Sequence, residues 1–190
     1  MNQKLKEKIR EKIRKAREIV EVEEWLKKSF KIQEDFLSSD YYKNSKTIFT
    51  YFHFDREVKT DLIIKKSIED GKIICLPYID WKNKILIPSE IKSIEEIVQE
   101  KGIPVPKFLR PVEVENIDII IVPGVAFDVY KNRIGMGGGF YDRFLKNISK
   151  KTLKIALAFE FQILNERLPV CEKDIKVDVI ITEKRIINSF

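Results

Sequence analysis

Residues 117–145 read IDIIIVPGVAFDVYKNRIGMGGGFYDRFL. The apolar run at 117–122 has the pattern of a central strand covered on both faces. A Pro-Gly turn follows, then a loop, then glycines, then a short helix predicted over 140–147. The chain has seven glycines, and Gly135, Gly137, Gly138 and Gly139 are four of them. Glycine loses the most backbone entropy on folding, so the cluster marks a place that needs bare backbone. Without Cβ atoms, consecutive peptide N–H groups can face one concavity and hold anionic oxygens. The helix behind them would aim its N-terminal amides at the same place. Arg133 and Arg143 flank the loop and could add charge-assisted contacts. In open α/β sheets ligands sit beyond the carboxyl ends of strands, where this loop belongs. A surface turn needs only one or two glycines. The loop lacks a Gly-Lys-Ser/Thr ending and has no glycine at 140, so it is neither an ordinary P-loop nor the dinucleotide fingerprint. On its residues alone it is a phosphate-binding loop.

Outward from this segment, strands alternate with helices. Residues 3–37 contain no Gly or Pro and predict one helix. Leu5, Ile9, Ile13, Ala16 and Val20 form its apolar stripe, and Lys6, Arg10, Arg14 and Arg17 lie on the arc beside it. Residues 46–54, KTIFTYFHF, suit a strand; 60–70 predicts a helix ended by Gly71. A buried strand over 72–76 should stop at Pro77, and 78–88 should be a hairpin turning near Lys82-Asn83. Residues 92–101 predict a helix. GIPVPKFLRPVE, at 102–113, reads as a loop that crosses the surface or covers a site. Further strands are expected over 153–159 and 177–182. The expected fold is α/β: one domain over 1–190, layered and Rossmann-like. A largely parallel central sheet is flanked by helices, with a basic helix at the N-terminus.

Composition narrows the function. At 190 residues, with 44% apolar and 35% charged side chains, the chain is globular rather than disordered. No apolar run is long enough for a membrane span, and the first residues lack the apolar core of a signal peptide. A cytoplasmic protein with no membrane partner is expected. Cys75 and Cys171 read as buried free thiols, and two cysteines with one histidine cannot build the usual structural zinc site. His53, the one histidine, reads as structural or exposed. The net charge of +6 lies entirely within residues 1–17, which hold eight basic and two acidic side chains. Such a helix could meet the phosphates of a small ligand or of nucleic acid. The chain has no recognisable nucleic-acid module, so a basic nucleic-acid-binding protein is the weaker alternative.

Pro123-Gly124-x-Ala126-Phe127-Asp128 and Asn132-Arg133-Ile134-Gly135-x-Gly137-x-Gly139-Phe140-Tyr141-Asp142-Arg143 resemble the hallmark of the 5-formyltetrahydrofolate cyclo-ligase (methenyltetrahydrofolate synthetase) family. Lys6-x-x-Ile9-Arg10, Glu57-Val58-x-Thr60 and Pro169-Val170-x-x-x-Asp174-x-x-Val177-Asp178 are similar to its other conserved segments, so the likeness covers essentially the whole chain. Three positions depart from the family pattern. Phe140 stands for the usual Tyr, Gly138 for a frequent Lys, and Lys101 for a Trp found in some members.

The resemblance implies ATP- and Mg2+-dependent closure of 5-formyltetrahydrofolate to 5,10-methenyltetrahydrofolate, with release of ADP and phosphate. It assigns ATP to Lys6, Arg10, Arg133, Ile134, Gly135, Met136, Gly137, Gly138, Gly139, Phe140 and Tyr141. It gives the folate to Phe52 and Glu57 with Met136, Gly137, Gly138, Gly139 and Phe140. Mg2+ goes to Asp142 and Asp174. No side-chain nucleophile is implied. An ATP-dependent phosphotransferase or ligase acting on another small amide or acid would keep the same loop, and the Phe140 and Gly138 departures leave it open. A monomer is expected, although nothing in the sequence fixes the oligomeric state.

Overall fold

The computed structural model describes residues 2–188. It opens with helices α1 (Asn2–Glu18), α2 (Val22–Ser38) and α3 (Asp40–Asn44), where the sequence predicts one. The break at 19–21 needs no Gly or Pro, because the two long helices bury faces against different partners. In α1 the buried residues are Lys6, Arg10, Ile13 and Arg17. In α2 they are Ser29, Ile32, Gln33 and Phe36. One straight rod cannot serve both. The α1 face therefore differs from the expected apolar stripe: Leu5 is exposed and three cations are buried instead. Arg14, expected beside them, is half exposed and lies 3.8 Å from Glu7.

Next come strand β1 (Thr47–Phe49), helix α4 (Asp61–Glu69) and strands β2 (Ile73–Asp80) and β3 (Ile85–Glu90). β1 stops well short of the nine residues that read as strand, and 50–60 continues as irregular chain. β2 runs through Pro77 rather than stopping there. Pro77 lies beyond β1, whose register ends at Phe49 opposite Cys75, and it faces Pro88 on β3. Neither ring breaks a ladder hydrogen bond that the sheet needs. Residues 92–101 hold only a 3-10 turn, Ile94–Glu96, before strand β4 (Ile97–Glu100) pairs with β5 (Ile103–Pro106). Lys101 and Gly102 both have positive φ, +51° and +77°, as a two-residue hairpin turn requires. Cross-strand pairing therefore overrides local helix propensity, and the proline-rich loop begins as a strand.

The chain continues through β6 (Ile119–Ile121), β7 (Ala126–Asp128), β8 (Arg133–Ile134), α5 (Phe140–Leu145), β9 (Leu153–Leu157), β10 (Ile163–Leu164), β11 (Val179–Ile181) and β12 (Ile186–Ile187). Among the described residues the main sheet has seven strands in the order β12-β11-β9-β6-β1-β2-β3. The five from β11 to β2 are parallel, and the edges β12 and β3 are antiparallel. Side chains alternate across it. Ile48, Ile119, Ile121 and Ile155 join Ile32, Phe36 and Ile63 of α2 and α4. Phe49, Ile120, Val122 and Ala156 join Leu145 and Phe144 at α5. A small second sheet, β10-β7-β8, supports Ile13 of α1 through Val125, Ala126 and Ile134. Among the described residues no helix is long and apolar enough to cross a membrane. Cys75 is buried as expected, and burial pushes its thiol up to about 12; Cys171 is exposed, because its loop lies outside the core.

Candidate active site

β1 and β6 are neighbours, but the chain leaves them in opposite directions across the sheet: β2 follows on one side and β9 on the other. Such a switch point leaves a crevice beyond the carboxyl ends of the two strands. Here it opens into a pocket of about 400 Å³. Tyr51, Phe52, Phe54 and Glu57 enter it from the segment after β1, and Pro123 and Gly124 from the turn after β6.

The glycine loop forms one wall, and every residue from Arg133 to Asp142 lines the pocket. Gly137 and Gly139 have φ of +110° and +67°, which side-chain-bearing residues adopt only under strain. A Cβ on Gly135 would lie 2.8 Å from Arg133 Nη1, and one on Gly139 2.9 Å from Arg143 Nη1. Bare backbone is needed for conformation at Gly137 and Gly139, and at Gly135 for the close approach of the buried Arg133 guanidinium. Gly139 also occupies the N-cap of α5 without a side-chain cap, leaving the helix's first amides to other acceptors.

Three cations converge on this wall. Arg10 Nε donates to the Gly135 carbonyl at 2.8 Å. Arg133 is 3% exposed; its Nη1 donates to the Pro123 carbonyl at 3.0 Å and its Nη2 to Asp142 Oδ1 at 2.6 Å. Lys6 Nζ reaches Asp174. The buried Nε of Arg133 and the buried Tyr141 hydroxyl have no hydrogen-bond partner among the described residues. Buried polar atoms of this kind cost stability until something pairs with them. Arg143, expected at the anion, is not a lining residue: its guanidinium stacks 5.1 Å from the Phe140 ring and donates to the Lys84 and Gly138 carbonyls. It braces the loop from outside.

Asp142 and Asp174 lie close together, since Asp142 Oδ1 accepts from the amide of Ile175 at 3.3 Å. Both line the pocket. Their hard oxygens suit Mg2+, which takes only one or two protein carboxylates beside waters and phosphate oxygens. No cluster of three acidic, histidine or cysteine ligands exists among the described residues, so the protein supplies at most a partial coordination shell. The donor set fits a metal bound together with a phosphate ligand.

The opposite wall is aromatic and carries Glu57. This carboxyl is 5% exposed, and burial raises its pKa to about 7 against the opposing pull of the Phe54 amide and Arg17. Its Oε2 accepts from the Phe54 amide at 3.2 Å. Burial also raises Tyr51 and Tyr141 well above the ordinary phenol range, and the Glu57 charge adds to both. His53 is half-buried, its ring 4.6 Å from that of Phe52; its Nδ1 accepts from the Thr60 amide, and burial lowers its pKa. It plays a structural part.

Apart from Arg143, the site residues expected from the sequence line this one pocket: Lys6, Arg10, Phe52, Glu57, Arg133–Ile134, residues 135–141, Asp142 and Asp174. Sequence reasoning missed the roof. Ile79, Trp81 and Leu86 come from the β2–β3 hairpin, and Ile103 and Pro104 from β5. Trp81 meets Phe140 edge to face at 6.0 Å. Lys101, at the departed position, lays its ammonium over Trp81, 4.6 Å from the ring centroid. The proline-rich stretch was the available signal, read as a loop that crosses the surface or covers a site; Ile103 and Pro104 place it over the pocket.

The fold and the pocket define an α/β protein with a glycine-rich loop walling a pocket at its sheet's switch point. The model of the 5-formyltetrahydrofolate cyclo-ligase family matches residues 2–183, and the chain belongs to that family. It is 30% identical to the mouse 5-formyltetrahydrofolate cyclo-ligase over 192 residues, covering 92% of each chain. It is 34% identical to the enzyme of the same name from Escherichia coli K12 over 145 residues, 74% of this chain and 79% of the other. The solved Aquifex aeolicus 5,10-methenyltetrahydrofolate synthetase superposes with a TM-score of 0.85 at 33% identity, covering 97% of this chain and 92% of that one.

Proposed function

We propose that this protein uses ATP and Mg2+ to convert 5-formyltetrahydrofolate to 5,10-methenyltetrahydrofolate, and that the pocket described above is where it does so. Ring closure must expel the formyl oxygen, which is a poor leaving group as oxide or hydroxide. Transfer of the terminal phosphoryl group of ATP to that oxygen releases ADP and makes the oxygen part of a phosphate leaving group. N10 then forms the new C–N bond as phosphate departs with the former formyl oxygen, and N10 loses its proton. An amide oxygen is a weak nucleophile, so catalysis rests on positioning and on neutralising charge at the phosphoryl group. No side-chain nucleophile is required.

In this reading Lys6, Arg10, Arg133 and the amides of residues 135–139 meet the triphosphate. Ile134, Met136, Phe140 and Tyr141 complete that wall. Asp142 and Asp174 hold Mg2+, which when bound neutralises phosphate charge and aligns the transfer. Phe52 gives the flat pterin an apolar face, and Glu57 accepts from its ring N–H groups; residues 136–140 close over it.

The observation that carries the reading is that Arg10, the bare glycine backbone and two carboxylates share one pocket with an aromatic wall bearing a buried acid. Mixing the protein with ATP, Mg2+ and 5-formyltetrahydrofolate should generate the near-UV absorbance of the conjugated methenyl product. Folded protein that gives no such signal ends the reading. Stabilisation by ATP–Mg2+ but by no reduced folate would redirect it to another small amide or acid.

A further inference from the structure

We propose that Arg17 is a positioning residue that ties the pterin side of the pocket to the helix bounding its phosphate side, so that filling either side strengthens binding at the other. The inference rests on the assignment of the two sides made above.

Arg17 does not line the pocket, yet it is 6% exposed and lies on the same buried face of α1 as Lys6 and Arg10. Eleven residues separate it from Lys6, about 16 Å along a helix. Its Nη1 donates to the Asp55 carbonyl at 3.3 Å, and its Nε is buried without a partner among the described residues.

Asp55 begins a turn that L side chains resist. Its φ is +48° and that of Arg56 is +54°, and neither is glycine. Left-handed backbone at two successive non-glycine residues persists only where surrounding contacts hold it. The turn presents Phe54 and Glu57 to the pocket and closes on itself through the Phe54 amide and the Glu57 carboxyl. Its outside anchors come from the α1–α2 elbow. Arg17 grips the Asp55 carbonyl, Arg56 donates to the Val20 carbonyl, and Trp25 Nε1 donates to the Glu57 carbonyl at 2.9 Å. Arg17 also counters the upward push that burial gives the Glu57 carboxyl, so its charge is felt at the pterin side.

α1 thus has a grip at each end. Lys6 and Arg10 bind Asp174 and the Gly135 carbonyl at one, and Arg17 binds the strained turn at the other. A triphosphate that draws Lys6 and Arg10 toward it moves or steadies a rigid helix, and Arg17 carries the change to Asp55. Such linkage is a coupling free energy and works equally in both directions.

Calorimetric titration of 5-formyltetrahydrofolate into the full chain, with and without Mg2+ and a non-hydrolysable ATP analogue, measures it. In the wild type the analogue should tighten folate at least about fivefold, with the reciprocal effect equal. In Arg17→Met the factor should fall by about twofold or more, the remainder passing through residues 136–140, which both ligands share. Measured with each ligand alone, the Kd for folate should rise roughly tenfold while that for the ATP analogue holds within about twofold. The lost coupling adds equally to both only when the partner is saturating. Arg17→Lys should restore part of the coupling; if the Met variant does not fold, Arg17→Lys decides, with a coupling factor below that of the wild type expected and an undiminished one fatal. Full coupling in Arg17→Met, or equal weakening of both ligands, would overturn the inference. A wild type that turns over substrate without coupling overturns the inference alone. One that binds no folate removes the reading beneath it as well.

Discussion

Lys6 Nζ lies 2.7 Å from Asp174 Oδ1 and 2.6 Å from Oδ2, clasping the first helix to a loop 168 residues away. Both side chains are largely buried. Burial pushes the Asp174 carboxyl up, but hydrogen bonds from Lys6 and Cys171 outweigh it and leave its pKa lowered. Stability from this group is therefore present above the ordinary aspartate range and lost as pH falls through the lowered folded value. Lys6→Met should raise the KM for ATP on the order of tenfold, whereas Asp174→Asn should raise the Mg2+ concentration needed for half-maximal rate by a similar factor. Initial rates across a grid of ATP and Mg2+ separate the two effects.

Gly137→Ala should weaken nucleotide binding about tenfold or more, because alanine at a φ of +110° must bend the loop. The Cβ itself would meet Arg10 Cζ at an ordinary 3.6 Å, so conformation rather than space is at fault. Gly71→Ala is the matched control. Its φ is +72° in open space far from the loop, so it should lose roughly 1–2 kcal/mol of stability and leave ATP affinity unchanged. Melting curves and ATP titrations of both variants give the comparison.

Glu57→Gln should stabilise the protein while destroying function. The folded pKa of about 7 lies above that of an unfolded glutamate, so the folded state holds its proton more tightly. That contribution is complete below the unfolded pKa and is lost as pH rises through the folded one. At pH 8 the wild type therefore contains a buried, charged carboxylate that glutamine removes, a gain of about 1–3 kcal/mol. Melting temperature should rise by several degrees at pH 8, with little change at pH 4. Folate affinity of Glu57→Gln should fall below that of the wild type at pH 8, where the wild-type carboxylate is the acceptor. A buried acid kept at a cost in stability is the expected mark of a group retained for binding.

Arg133→Lys keeps the charge but loses the fork that bridges the Pro123 carbonyl and Asp142. The stability loss should be about 1–3 kcal/mol, from buried acceptors left short of a donor. The KM for ATP should rise with it, while folate affinity changes less. Denaturant titration and separate ligand titrations test both parts.

The central strand and the glycine loop were legible because their signals are local: an unbroken apolar run, then glycines no turn would need. Lys6, Arg10, Phe52 and Glu57 could be placed near that loop only through a whole-chain resemblance, since nothing in their own neighbourhoods points across the fold. Trp81 and Ile79 belong to the hairpin that the sequence predicts over 78–88, but nothing in that local pairing says that the hairpin lies over the pocket. Residues 92–101 misled because pairing of Ile97 and Val98 with β5 across a two-residue turn outweighs their local helix propensity. The α1–α2 break was hidden because no breaker residue makes it; two partners at different angles do. The pattern places Lys6, Arg10 and Arg17 beside the buried face of α1, whereas the fold turns them fully into it and leaves Leu5 outside.

The central claim is that the formyl oxygen is carried off as part of phosphate. Turnover of 5-formyltetrahydrofolate labelled with oxygen-18 in the formyl group, in unlabelled water, tests it directly. Mass analysis of the phosphate released should find one labelled oxygen per methenyl product formed. Unlabelled phosphate, with the isotope recovered in water, would contradict the account.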